Sequence, residues 1–120
     1  MSTIVSDIIT KRARPTLNDT STETNGQKWS DAFLLLMLID GQNIIVDQRS
    51  EESMDTDGIT ERTYAEPTGM GDTVYVGDKW REALMHYICA RAFEQPGDER
   101  YNLEAAGYHD NKFWELIKQL

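Results

Sequence analysis

The sequence contains very little cysteine, and this excludes several kinds of site. Cys89 is the single cysteine in 120 residues, so the chain has no internal disulfide and no pair of thiolates for a zinc site. The first seven residues lack the basic region and the long apolar stretch of a secretory signal. We therefore expect the chain to be made in a reducing cytoplasm.

Basic residues are also scarce. Lys and Arg total 12, against 21 Asp and Glu, and the formal net charge is -9. Lys11, Arg12 and Arg14 form the one basic cluster, while acidic residues concentrate between Asp47 and Asp57. Because an acidic chain repels nucleic-acid phosphates, tight and direct binding to DNA is disfavoured.

Long hydrophobic runs are absent as well. The longest run of large apolar residues covers residues 33–39, whereas a membrane-spanning helix needs about 20 apolar residues. We therefore expect no membrane partner. A chain of 120 residues suffices for one domain with one hydrophobic core.

What the sequence does contain is helical periodicity. Apolar spacing predicts a short first helix from Thr3 to about Arg12, with Ser2 or Thr3 as its N-cap. Pro15 should end this helix, because the residue before a proline avoids helical angles. Residues 16–27 are polar and turn-forming, which is typical of a flexible connection.

A second helix is predicted to begin at the cap Ser30 and to run to about Gln48. Trp29 and Leu34 flank its start in the arrangement of a hydrophobic staple. Residues 33–39 form an uninterrupted apolar run, so this helix is apolar on every side.

Two further helices are predicted in the second half of the chain. The third follows Gly77 and Asp78 and stops at Gln95-Pro96-Gly97. The fourth is capped by Asp98 and continues towards the C-terminus. The short link between them makes these two helices antiparallel neighbours.

The predicted fold is mainly α. It is a single four-helix domain over residues 1–120, with a long loop or an irregular β-hairpin at residues 49–76 between the second and third helices. In the hairpin, residues 59–66 would pair with residues 73–76 around a turn at residues 67–71.

Few residues suit catalysis or metal binding. His86 and His109 are the available neutral-pH bases, and neither lies in a recognisable catalytic motif. His86 and Cys89 lie three residues apart on the predicted third helix, but two ligands are insufficient for a zinc site. Residues 55–58 (DTDG) resemble part of a calcium loop whose first and last ligands are missing. We expect no enzymatic activity, no metal and no cofactor.

The second helix carries more apolar surface than one face of a small bundle covers. If the chain buries one side of residues 33–39, the other side stays exposed unless another molecule covers it. Oligomerisation would cover it. The alternative is that this helix is central and is covered by its own chain on all sides.

Several segments, in this order, resemble head-tail adaptor proteins of tailed bacteriophages. Residues 3–9 (TIVSDII) precede a helix that runs from Trp29-Ser30-Asp31 to Asp40-Gly41-Gln42. Residues 80–88 (WREALMHYI) lead to Ala92-Phe93, and the link at residues 98–102 (DERYN) precedes the last helix. These matches cover about two thirds of the chain, and residues 49–76 depart from the family pattern.

The resemblance implies a structural role in the virion, at the neck of the particle. A dodecameric ring would dock beneath the portal protein, meet a tail or nozzle protein, and let DNA pass without sequence-specific binding. The residues expected to form the core or the subunit interface are Trp29, Phe33, Leu36, Met37, Ile44, Trp80 and Tyr87. The residues expected to contact other virion proteins are Phe113, Trp114, Ile117 and Leu120. The acidic loop expected to face the lumen or the tail contains Glu51, Glu52, Asp55 and Asp57.

Two other classes of function stay open. The acidic middle segment is also compatible with a helical inhibitor that imitates nucleic acid and binds a basic site on a host or phage protein. A hydrolase that uses His86 or His109 is the third hypothesis. Replacing either histidine would abolish such an activity.

Overall fold

The computed structural model describes residues 3–19, 29–54, 62–95 and 102–120. In these ranges the chain is mainly α, with four helices and no β-strand, so the predicted fold class is confirmed. The predicted caps Ser2 and Asp98 lie outside the described residues. The alternative cap Thr3 is wrong, because the N-cap of the first helix is Ile4. None of the helices in these ranges carries an apolar stretch that would reach across a bilayer.

The first helix, α1, is longer than predicted. It consists of three consecutive parts, α-helical Val5–Ile8, π-helical Ile9–Ala13 and α-helical Arg14–Leu17. The prediction that Pro15 ends the helix is wrong, because Arg14 keeps helical angles (φ -60°, ψ -44°). Pro15 lies in the first turn of the last part, where a helix tolerates a missing N–H group, and the π-helical turn before it changes the hydrogen-bond pattern. The helix ends at Asn18, which adopts a left-handed conformation with φ 56°.

The N-terminus of α1 is held by the loop that precedes the third helix. The backbone N–H of Val5 donates to the carbonyl of Asp72, and that of Ser6 donates to the carbonyl of Met70, both at 2.9 Å. These two bonds satisfy N–H groups that have no partner inside the helix. The loop therefore acts as a main-chain cap for α1.

The predicted β-hairpin is not confirmed. Thr73 forms an isolated antiparallel bridge with Ile4, and the N–H of Val74 donates to the carbonyl of Thr3 at 2.9 Å. The segment after the turn thus pairs with the N-terminus of the chain, and the described part of the predicted partner strand, residues 62–66, forms no bridge to it. Part of that predicted strand lies outside the described residues.

Helix α2, Asp31–Gln48, begins as predicted. The Oγ atom of Ser30 accepts a hydrogen bond from the N–H of Phe33 at 3.0 Å, which is the expected N-cap contact. The buried face of α2 consists of Leu34, Leu38, Gly41, Gln42 and Ile45. A 3₁₀ turn, Ser50–Ser53, follows the helix.

Helix α3, Arg81–Phe93, is preceded by a 3₁₀ turn, Asp78–Trp80. Helix α4 covers Leu103–Gln119, and its observed N-cap is Asn102, whose Oδ1 accepts a hydrogen bond from the N–H of Ala105 at 3.0 Å. The three other helices all pack on α3. Its buried side chains are Ala83, Leu84, Met85, Tyr87, Ile88, Cys89, Ala90 and Ala92. The central helix is therefore α3 and not α2.

Candidate assembly surfaces

Helix α2 buries one face and exposes the opposite one. Leu36 lies on the exposed face with 58% of its surface accessible, between the exposed residues Ala32, Asp40 and Asn43. The described residues thus leave most of this leucine side chain uncovered. The outward side of α2 is thus polar apart from one large apolar side chain.

The edges of α2 are only partly covered. Phe33, Met37 and Ile44 are half-buried and pack against the core from one edge. They lie four, seven and eleven residues apart, so a helix places them in one row. We call Phe33, Leu36, Met37 and Ile44 together the α2 flank, and it contains the four α2 residues that the sequence predicted for the core or the subunit interface.

Tyr87 joins three helices beneath this region. A Cβ atom on Gly41 would lie 3.1 Å from Cδ2 of Tyr87 and 3.2 Å from Cδ2 of Leu84, so α2 and α3 approach closely there. The ring of Tyr87 also packs on Phe113 of α4, with 5.0 Å between ring centroids. Tyr87 is buried, and burial raises the pKa of its hydroxyl above the ordinary value.

The two predicted tryptophans of the core or interface set are buried in the core. Trp29 lies just before α2, and Trp80 ends the 3₁₀ turn before α3. The Trp80 ring has the Arg49 guanidinium at 5.6 Å and the Lys79 ammonium at 5.5 Å from its centroid. Arg49 also donates to the carbonyl of Ile117 at 2.7 Å, which connects the end of α2 to the end of α4.

The four residues predicted to contact other virion proteins are divided between core and surface. Phe113 and Ile117 are buried within this chain, so neither side chain is exposed for a partner to contact. Trp114 is 37% exposed, and Leu120 is half-buried. Leu103, which is 61% exposed on α4, is not among the predicted contact residues. Leu103 and Trp114 are eleven residues, or about three turns, apart, so they share one side of the helix, and that spacing was the available signal.

The acidic loop is only partly described. Glu51 is exposed and forms an ion pair with Arg49 at 2.8 Å. Glu52 is half-buried, and its Oε1 accepts a hydrogen bond from the N–H of Gly77 at 2.8 Å, so it fastens the turn after α2 to the turn before α3. Asp55 and Asp57, and with them the DTDG sequence, lie outside the described residues.

The His86–Cys89 pair considered as the start of a metal site does not form. The thiol of Cys89 is buried next to Met85, with 3.7 Å between the sulfur atoms, and burial raises its pKa to about 12. His86 instead meets His109 of α4, with 2.8 Å between their Nδ1 atoms. Across the described ranges, no group of three or more His, Cys, Asp or Glu residues is placed to hold a metal ion.

A shallow groove of about 420 Å³ lies between α2 and the segment that follows it. Its lining residues are Asn43, Val46, Asp47, Ser53, Arg62, Tyr64 and Tyr75. The buried side chain of Gln42 accepts from the N–H of Tyr75 at 2.8 Å and donates to the carbonyl of Ala65 at 3.4 Å. The Arg62 guanidinium lies 4.1 Å from the centroid of the Tyr75 ring. These contacts attach the irregular segment to α2.

Comparisons of the chain with protein-family models, with curated proteins and with solved structures find no match. Two surfaces of the described residues carry exposed apolar side chains and lie on different helices: the α2 flank with Leu36, and the side of α4 with Leu103 and Trp114.

Proposed function

We propose that this chain is a structural head-tail adaptor of a tailed bacteriophage, which forms a ring beneath the portal and connects the capsid to the tail. The observation that carries the proposal is the α2 flank, where the chain leaves Leu36 exposed and its three neighbours half-covered. The order of the segments that resemble the adaptor family supports this kind of assembly. In this role the chain acts through its shape and its contacts, and it requires no catalytic residue.

A closed ring of identical chains needs two different surfaces on each chain. In such a heterologous contact, one surface of a subunit binds the other surface of the next subunit. The α2 flank and the outer side of α4, with Leu103 and Trp114, are two different surfaces with exposed apolar side chains that could serve this purpose. The net charge of -9 suits a lumen through which DNA slides, because it repels the phosphates.

The test mixes the purified chain with the portal protein of the same genome and images the product by electron microscopy. The wild-type chain should form a ring on the portal. Leu36→Glu should stay folded, because the side chain is exposed, and should form no ring. Gln48→Glu is the matched control, since it adds the same charge at an exposed position of the same helix. A portal that stays free of the wild-type chain, or a ring from Leu36→Glu, would contradict the proposal.

The same experiment separates the adaptor from an acidic inhibitor. An inhibitor that imitates nucleic acid would lose its target when Glu51, Asp55 and Asp57 are replaced by their amides, because its binding depends on charge. An adaptor held by apolar helix surfaces should still assemble with these three changes. Glu52 is left in place, because it also accepts the hydrogen bond from Gly77.

A further inference from the structure

The side chains of His86 and His109 contact each other through their Nδ1 atoms, between α3 and α4. Their Nδ1 atoms are 2.8 Å apart and their ring centroids are 5.0 Å apart, so the two nitrogen atoms point at each other. This is the geometry of a direct N–H···N hydrogen bond. Two rings that bind one metal ion side by side would instead aim their lone pairs at a point off the line between the nitrogens.

The pair is enclosed by aromatic rings. His109 is only 7% exposed, and its ring lies parallel to that of Phe93, with 5.8 Å between centroids and 11° between planes. Tyr108 approaches the His109 ring edge-on at 5.1 Å. His86 is half-buried beside them. Water therefore has limited access to a charge that forms here.

The hydrogen bond limits how many protons the pair can hold. In the neutral pair, one Nδ1 carries a hydrogen and donates it, and the other Nδ1 accepts it. A first added proton can go to the Nε2 atom of the donating ring and leaves the bond intact. A second proton must go to the accepting Nδ1, so it breaks the bond and places two cations side by side. Burial lowers the pKa of both histidines, and that of His109 falls to about 4, with the neighbouring His86 as a second cause.

Charged groups around the pair act in opposite directions. Glu82 on α3 and Lys112 on α4 act on His86, while Arg12 on α1, Arg91 on α3 and Asp110 on α4 take part in neighbouring ion pairs. Glu82 raises the pKa of His86 and Lys112 lowers it. Glu82 is also paired with Arg12, and Asp110 is paired with Arg91 at 2.9 Å, so each carboxylate is shared with an arginine.

The two halves of α4 are attached to the chain in different ways. In the second half, Phe113 and Ile117 are buried in the core, and Arg49 donates to the carbonyl of Ile117. In the first half, the buried side chains are Ala106 and His109. We propose that the His86–His109 pair is an acid-sensitive latch, which fastens the first half of α4 to α3 when neutral and releases it when both rings are protonated.

The direction of the pH dependence follows from linkage. The latch contributes its full stability above the ordinary histidine pKa, where the unfolded chain also carries neutral rings. This contribution decreases as the pH falls from the ordinary value towards about 4, because the unfolded chain binds protons that the folded pair excludes.

Hydrogen exchange and NMR test the latch in the wild-type chain. Amide protection at residues 103–110, corrected for intrinsic exchange, should fall at least about tenfold between about pH 6 and about pH 4, while residues 113–119 stay protected. The Cε1–H resonances should report two coupled steps, with the second near pH 4. Two independent titrations near the ordinary histidine pKa would overturn the proposal, and this readout requires no variant.

Two variants assign the effect to the histidines. His109→Phe retains an aromatic ring and cannot be protonated, so protection at residues 103–110 should no longer change between these pH values. Asp110→Asn removes the adjacent ion pair with Arg91 and should leave the acid-induced loss in place. A loss that persists in His109→Phe, or one that disappears in Asp110→Asn, would refute the latch.

Discussion

Gly41 and Gly107 both lie inside helices, yet alanine should change the stability of the chain in opposite directions at the two positions. At Gly41 of α2, a Cβ atom would lie 3.1 Å from Cδ2 and 3.2 Å from Cγ of Tyr87, and 3.2 Å from Cδ2 of Leu84. At Gly107 of α4, the same atom would meet nothing within 4 Å. The two sites thus share the helical backbone and differ in the space around it.

The magnitudes follow from two opposing effects. Alanine in place of glycine inside a helix stabilises it by about 1 kcal/mol. Gly107→Ala receives this gain in full. At Gly41 the gain is offset by overpacking, which costs about 1–3 kcal/mol, because Tyr87 and Leu84 are themselves buried and have little room to move. We therefore expect Gly41→Ala to destabilise the chain by about 1 kcal/mol, a difference of about 2 kcal/mol between the variants.

Urea unfolding of both variants, followed by circular dichroism, measures this difference. At about 4 °C per kcal/mol, thermal unfolding should separate the two melting temperatures by about 8 °C. The m-values should match that of the wild-type chain, because neither change alters the surface exposed on unfolding. If Gly41→Ala is as stable as Gly107→Ala, the close approach of α2 and α3 at Tyr87 is refuted.

Three further predictions address a cap, a thiol and a carboxylate. Ser30→Ala should destabilise the chain by about 1 kcal/mol in urea unfolding, because the N–H of Phe33 loses its acceptor. The thiol of Cys89 should react with a thiol reagent at about pH 8 only as fast as the chain unfolds, since burial holds the pKa near 12. Hydrogen bonds from the backbone and hydroxyl of Thr68 lower the pKa of Asp72, so NMR should give a midpoint below the ordinary 3.8, and stability should be lost as the pH falls through that range. In Asp72→Asn this part of the acid sensitivity should disappear.

The sequence predicted a helix boundary correctly where the contact that fixes the boundary joins neighbouring residues. Ser30 caps α2 because its own hydroxyl reaches the third residue of the helix, and this contact depends on a few adjacent residues. Pro15 misled the prediction, because the π-helical turn before it forms within a helix that is held by tertiary packing. The pairing of Thr73 with Ile4 joins residues far apart in sequence, and no local pattern indicates it.

The candidate surfaces were less predictable for a related reason. Residues 33–39 are apolar on every side, so periodicity gives no indication that Leu36 is the side chain left exposed. Which side chains of α2 are buried and which are exposed depends on where α3 lies, and α3 is 30 or more residues further along the chain. The His86–His109 contact joins two helices in the same way, and neither helix alone carries a sign of it.

Because α3 is the central helix, the helices that are synthesised before it at first lack the partner on which they pack. Helices α1 and α2 leave the ribosome before α3, although both pack on it. Because synthesis adds about 5–20 residues per second, the apolar face of α2 stays uncovered for several seconds until α3 has been made. During that time it is a binding surface for chaperones and for other nascent chains. A chain that stops before Arg81 should therefore aggregate, and the full chain should become compact only after Phe93 has emerged.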